Sequence, residues 1–172
     1  MPKYAQERES ISDGVNLLIS ILVRYPEIAS IRFDPDFQIM KLTFMIAGIV
    51  QDDELLAFRQ KLLASISAYR LLLGPAEKTA DIQSSVYDSV TVVTVFRDVD
   101  TFSKGEIAMC ISLLREQYRD SLVTDRNDNL HEEELLVQEE IIDSMLENVK
   151  TTTDSNSLVG IREDGRVLVF NK

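Results

Sequence analysis

The spacing of apolar positions divides the chain into helix-like and strand-like runs. Ile11, Val15, Leu18, Leu22 and Tyr25 recur at the interval of one helix face, which predicts a helix over residues 12–25, started by Ser10, Ser12 or Asp13 and stopped by Pro26. Leu17, Ile19, Ile21 and Val23 widen the stripe, as in a helix packed on more than one side. Two strand-like runs follow, 28–33 and 37–50, separated by Asp34-Pro35-Asp36. The proline presets a turn dihedral, the carboxylates can accept from nearby amides, and so short a link predicts an antiparallel hairpin. In the second run Ile39, Leu42, Phe44, Met45, Ile46, Ile49 and Val50 do not alternate, which predicts burial on both faces.

A helix over 53–73 has marked ends: Asp52 as cap, Asp53 and Glu54 in the first turn, Arg70 in the last, and Gly74-Pro75 as terminator. Its apolar face reads Leu55, Leu62, Ile66, Tyr69 and Leu73. A long strand rich in Val and Thr is expected over 85–97. Ser103-Lys104-Gly105-Glu106 has the form of a capping box, with Phe102 and Ile107 as its staple, opening a helix that runs to Asp120. A polar loop over 124–129 leads into a helix capped by Asn129 and reaching Lys150, and a second loop over 151–156 leads to a hairpin, 158–163 and 166–170. Its Asp164-Gly165 turn suits type I′, whose two central residues both need positive φ. That turn sets Val159 opposite Phe170 and Ile161 opposite Leu168 on one face. These side chains are expected to cover this chain's own sheet, the alternative being that the hairpin augments or swaps into another subunit. The order α-β-β-α-β-α-α-β-β describes an α+β fold with a mainly antiparallel sheet and four helices, in one domain spanning residues 1–172.

Composition narrows the chemistry. The 172 residues carry 18 Lys+Arg against 29 Asp+Glu, a net charge of −11, with one His, one Cys and no Trp. A lone cysteine cannot form a disulfide within the chain, and it suits a reducing compartment. Met1 to Arg8 is polar, and the apolar run 42–50 falls short of the ~20 residues of a spanning helix, so a cytoplasmic protein without membrane contact is expected. The acidic balance disfavours nucleic acid as a partner.

Most of the net charge lies between Asp125 and Glu147, where Arg126 is the one base. Glu140, Asp143 and Glu147 fall on one side of the last helix, opposite Leu135, Ile142, Met145 and Val149, while Glu132 and Glu133 lie at its start. A solvated face is the plain explanation, and docking of a basic protein partner the functional one. Asp125, Asn127 and Asn129 resemble the opening of an EF-hand calcium loop, but Leu130 stands where the loop needs Gly and Leu136 where it needs a bidentate Glu. Asp98-Val99-Asp100 resembles the start of the haloacid dehalogenase nucleophile motif, with Thr101 for its Gly and Phe102 for its Thr. The parallel strand–helix alternation of that fold is lacking, so no family is assigned.

Neither a nucleophile–base pair nor a glycine-rich phosphate loop is visible. His131 is the single imidazole, and Cys110, between Ile107 and Leu114, reads as a buried hydrophobe. No catalytic, cofactor or metal residue is therefore assigned. The expected function is that of a non-catalytic regulatory or protein-interaction domain that self-associates and docks through Glu132, Glu133, Glu140, Asp143 and Glu147. The alternative is a carboxylate- and divalent-metal-dependent enzyme or a small-molecule sensor.

Overall fold

The described residues of a computed structural model form one antiparallel sheet of six strands, in the order Ala80–Tyr87, Val90–Asp98, Ile39–Ala47, Ser30–Asp34, Leu158–Glu163, Arg166–Asn171, with four helices on one side of it. The structure describes residues 3–125, 132–151 and 157–171, without the side chains of 3–12 and 151. The elements are α1 (Lys3–Arg24), β1 (Ser30–Asp34), β2 (Ile39–Ala47), α2 (Asp52–Leu73), β3 (Ala80–Tyr87), β4 (Val90–Asp98), α3 (Lys104–Tyr118), α4 (Glu132–Thr151), β5 (Leu158–Glu163) and β6 (Arg166–Asn171), with a 3-10 turn Arg119–Ser121 after α3. This is the expected α+β class, with one strand more than expected.

The extra strand comes from a turn without glycine or proline. The expected long strand is two, β3 and β4, which reverse at Asp88-Ser89, where both residues take positive φ (51° and 67°). Asp tolerates this conformation through local hydrogen bonding, yet Asp-Ser inside a β-rich run is a weak punctuation mark. At the first hairpin the Asp34 carboxylate does accept from the Asp36 amide (3.1 Å), and Gln38 takes positive φ before β2 begins.

Strand β2 is shorter than the expected run 37–50, and its burial differs. Met40, Leu42, Phe44 and Ile46 are buried while Met45 and Ala47 are exposed, so the strand is buried on one face only. Cross-strand pairing carries that face over the whole sheet: Ile82, Val95, Leu42, Ile31 and Gly160 lie in one row. All four helices sit on this side. Leu18 and Leu22 of α1 approach Gly160, Phe58 of α2 lies by Ile82, Glu106 of α3 reaches Arg97, and α4 packs along α1.

At Gly160 the close approach is steric. A Cβ there would stand 2.8 Å from Leu22 Cδ1 and 3.0 Å from Ile31 Cγ2. Gly160→Val is expected to cost about 2 kcal/mol, by analogy with other overpacked cores, read as a lower urea midpoint at unchanged slope.

Helix boundaries differ where tertiary contacts outbid local signals. α1 begins at Lys3, well before residue 12. At α2 the N-cap is Gln51, with no side-chain cap bond, and not Asp52; Asp53 accepts instead from the Glu54 amide. Leu73 is 63% exposed and lies off the buried face, which runs through Phe58, Leu62, Ile66 and Arg70. The capping box does not form: Ser103 makes no cap bond, and Glu106 turns into the core. The Asn129 cap, residues 126–131 of the calcium-like loop, His131 among them, and residues 152–156 before β5 fall outside the described residues, and Leu136 lies on α4.

Candidate functional site

Arg97 is the largest fully buried side chain, and it organises the densest polar cluster among the described residues. On β4 it faces the helices, opposite Met40 and Ala80. Its guanidinium grips Glu106 bidentately, Nε to Oε2 at 2.8 Å and Nη2 to Oε1 at 2.9 Å. It also donates to the Thr79 carbonyl (2.9 Å), to both oxygens of Thr101 (3.2 and 3.1 Å) and to Asp98. Arg70, at the end of α2, approaches Glu106 at 3.5 Å and donates to the Pro75 carbonyl. The cluster joins α2, β4, α3 and the segment before β3, and it spends the Glu106 carboxylate that the capping box would have used.

Asp98, the first residue of the Asp-Val-Asp run, accepts from the amides of Lys78, Thr79 and Thr101 and from the Thr101 hydroxyl. Burial works against its ionisation, but the Thr101 and Thr79 bonds and Arg97 prevail and hold it below the ordinary carboxylate value. Asp100 points to solvent and pairs with Lys78. The Asp-x-Asp run is therefore a corner built on protein donors. Among the described residues no three of His, Cys, Asp and Glu are grouped to hold a metal ion. Cys110 is buried, and burial pushes its thiol up to about 12, so it stays protonated at neutral pH.

The acidic candidates divide. Glu132, Glu133 and Glu140 are exposed on α4, with no ion pair to any described residue. Asp143 pairs with Lys104 (3.1 Å) and Glu147 with Lys150 one turn on (3.1 Å). Glu139 is tied to Arg24 (3.0 and 2.8 Å), pinning α4 to α1, while Ile142, Leu146 and Val149 form the buried side. Leu135 and Met145, placed on that side by the sequence, are half-buried.

The larger surface is the sheet face that bears no helix. Its rows read Phe96, Lys41, Arg32, Val159, Phe170 and Thr94, Thr43, Ser30, Ile161, Leu168. Lys41 lies over the Phe96 ring at 5.5 Å, and Met45, Tyr87, Leu168 and Phe170 are exposed. The four apolar residues of the C-terminal hairpin thus share one face in the expected register. That face is the open one; the side that covers the helices carries Leu158, Gly160, Val167 and Val169.

A cavity of about 890 Å³ opens where α1 ends, between α3, the start of α4 and the β5–β6 turn. Its polar wall comprises Arg24, Glu27, Arg115, Asp125 and Arg162. Glu27 is buried and pairs with Arg115. Arg162 closes the end of α1, donating to the carbonyls of Leu22, Tyr25 and Ile28.

These features define an α+β protein with one helix-covered and one open sheet face, a buried arginine cluster and an acidic outer helix. Compared with known proteins, the chain matches no family model, no curated protein and no solved structure. Among the described residues no helix is long and apolar enough to cross a membrane.

Proposed function

We propose that the protein is a non-catalytic regulatory or interaction module of the cytoplasm, which self-associates and docks a basic protein partner on the outer side of α4. The observation that carries this reading is the distribution of surfaces. The densest polar cluster among the described residues is consumed in holding elements together, whereas Met45, Tyr87, Leu168 and Phe170 on the open sheet face and the carboxylates of Glu132, Glu133 and Glu140 face solvent. Opposite charge on a partner would speed encounter and make the complex sensitive to salt.

The triple reversal Glu132→Lys/Glu133→Lys/Glu140→Lys is expected to abolish salt-sensitive capture of basic proteins from the source cell. Reversals at the exposed Asp36, Asp52 and Asp120 should leave capture intact. Equal loss in both variants would reduce the effect to net charge and remove the docking face.

A small-molecule sensor is the second reading, favoured by the cavity at the end of α1. A ligand bound at 100 times its dissociation constant adds about 2.7 kcal/mol to the native state. A thermal-shift screen of cell metabolites, repeated with Arg115→Ala, tests it: a dose-dependent rise lost in the variant supports a sensor.

A further inference from the structure

Strand β6 is the free edge of the sheet, and the hairpin register determines which of its backbone groups face outward. In a two-residue hairpin the flanking pair exchanges backbone hydrogen bonds, and so does every second pair beyond it. Glu163 with Arg166, Ile161 with Leu168 and Val159 with Phe170 are those pairs. The amides and carbonyls of Val167, Val169 and Asn171 therefore point away from β5, and no described residue bonds to them.

The opposite edge is treated differently. By the same rule the Ile82 carbonyl points outward from β3, and Arg59 of α2 donates to it at 3.0 Å while pairing with Asp81. β6 has no such cover. It holds no proline and no carboxylate, its one charge is Arg166 at the start, and its Val-Leu-Val-Phe run has high strand propensity, so the run itself carries no guard of an exposed edge. In a chain of net charge −11 this is an edge where two copies meet without acid facing acid.

The geometry points to a two-fold dimer in which the β6 edges of two copies pair antiparallel, centred on Val169, joining their sheets into one. Centring there uses every outward group: Val169 meets the partner's Val169, and Val167 meets the partner's Asn171. Centring on Leu168 would leave Asn171 unpaired. On the open face Leu168 comes opposite the partner's Phe170; these side chains are 41% and 47% exposed in the single chain and cover each other in the pair. The dimer rests on the reading of the protein as a self-associating module and names the surface involved.

Sedimentation velocity of the full chain over a concentration series is the test, with Val169→Pro as the probe variant. Proline on an edge strand whose N–H faces outward removes no hydrogen bond within the chain, so this variant should keep its near-UV circular dichroism. The wild type is expected to sediment as a dimer that dissociates on dilution, and Val169→Pro as a monomer. Leu168→Cys/Phe170→Cys places thiols opposite each other in the non-hydrogen-bonded pairs of that register, on the open face, and should give a disulfide-linked dimer on mild oxidation, Cys110 being buried; this decides the matter if Val169→Pro does not fold. A dimer that survives in folded Val169→Pro, or that gives no cross-link through Leu168→Cys/Phe170→Cys, overturns the edge pairing but leaves self-association standing. A wild type monomeric at every concentration overturns both, while its binding of a basic partner through α4 would remain.

Discussion

Replacing Glu106 by leucine is expected to destabilise the protein by about 3–5 kcal/mol, a large share of the stability of a typical domain. The carboxylate is fully buried and receives two charge-assisted bonds from Arg97 and a longer one from Arg70. Removing it leaves a buried guanidinium with only Asp98, Thr101 and the Thr79 carbonyl as acceptors. The cost lies mainly in stranding that charge. The double variant Arg97→Met/Glu106→Leu should accordingly lose less than the sum of the single losses, by about 0.5–3 kcal/mol. Urea denaturation of the four proteins in the cycle measures this, and strict additivity would contradict a coupled pair.

The same cluster predicts where acid begins to unfold the chain. Asp98 has a lower pKa in the folded protein than the 3.8 of an ordinary aspartate. Its contribution is therefore complete above that value and is lost as pH falls through the folded value. Asp98→Asn should flatten the decline in stability below about pH 4 and lower stability at neutral pH.

Ending the chain at residue 157 is expected to abolish cooperative folding. β5 lies between β1 and β6, so the cut removes Leu158 and Val159 from the buried set, at about 1.5–3 kcal/mol each. It also exposes the β1 edge and removes Arg162, whose guanidinium bonds to three backbone carbonyls at and beyond the end of α1 are worth about 1.5–3 kcal/mol each. Together these are as large as the whole stability of a typical domain, about 5–15 kcal/mol. Loss of near-UV circular dichroism and of a sigmoidal urea transition would report it; a truncated chain with a sharp transition would show the hairpin to be an appendage.

Apolar periodicity and turn chemistry settle many elements before any tertiary contact is considered. Leu18 and Leu22 define the buried stripe of α1, Asp34-Pro35-Asp36 makes the expected turn with its Asx bond, and Asp164-Gly165 sets the pairing of Ile161 with Leu168. Such signals act over a few residues, so one chain segment carries them in full. The acidic outer side of α4 was legible for the same reason: the repeat of one helix puts Glu140, Asp143 and Glu147 on the side opposite Ile142 and Val149.

Partnerships between distant segments come from long-range contacts alone. Glu106 stands at the position of a capping residue, and nothing local announces that a buried Arg97 bids for its carboxylate more strongly than an exposed helix amide does. Nothing local marks Arg162 as the closure of α1; that role depends on β5 lying beneath the end of the helix. The hairpin's apolar face was readable, but which side of the sheet it would join depended on where α1 packed, and Gly160, the one residue of β5 without a side chain, let α1 settle on the other side. The sequence determined the elements and their amphipathic faces because those follow from chain geometry. The choice of covered face, buried ion cluster and bare edge belongs to the assembled fold, where a desolvated charge must find its counterion wherever in the chain it lies.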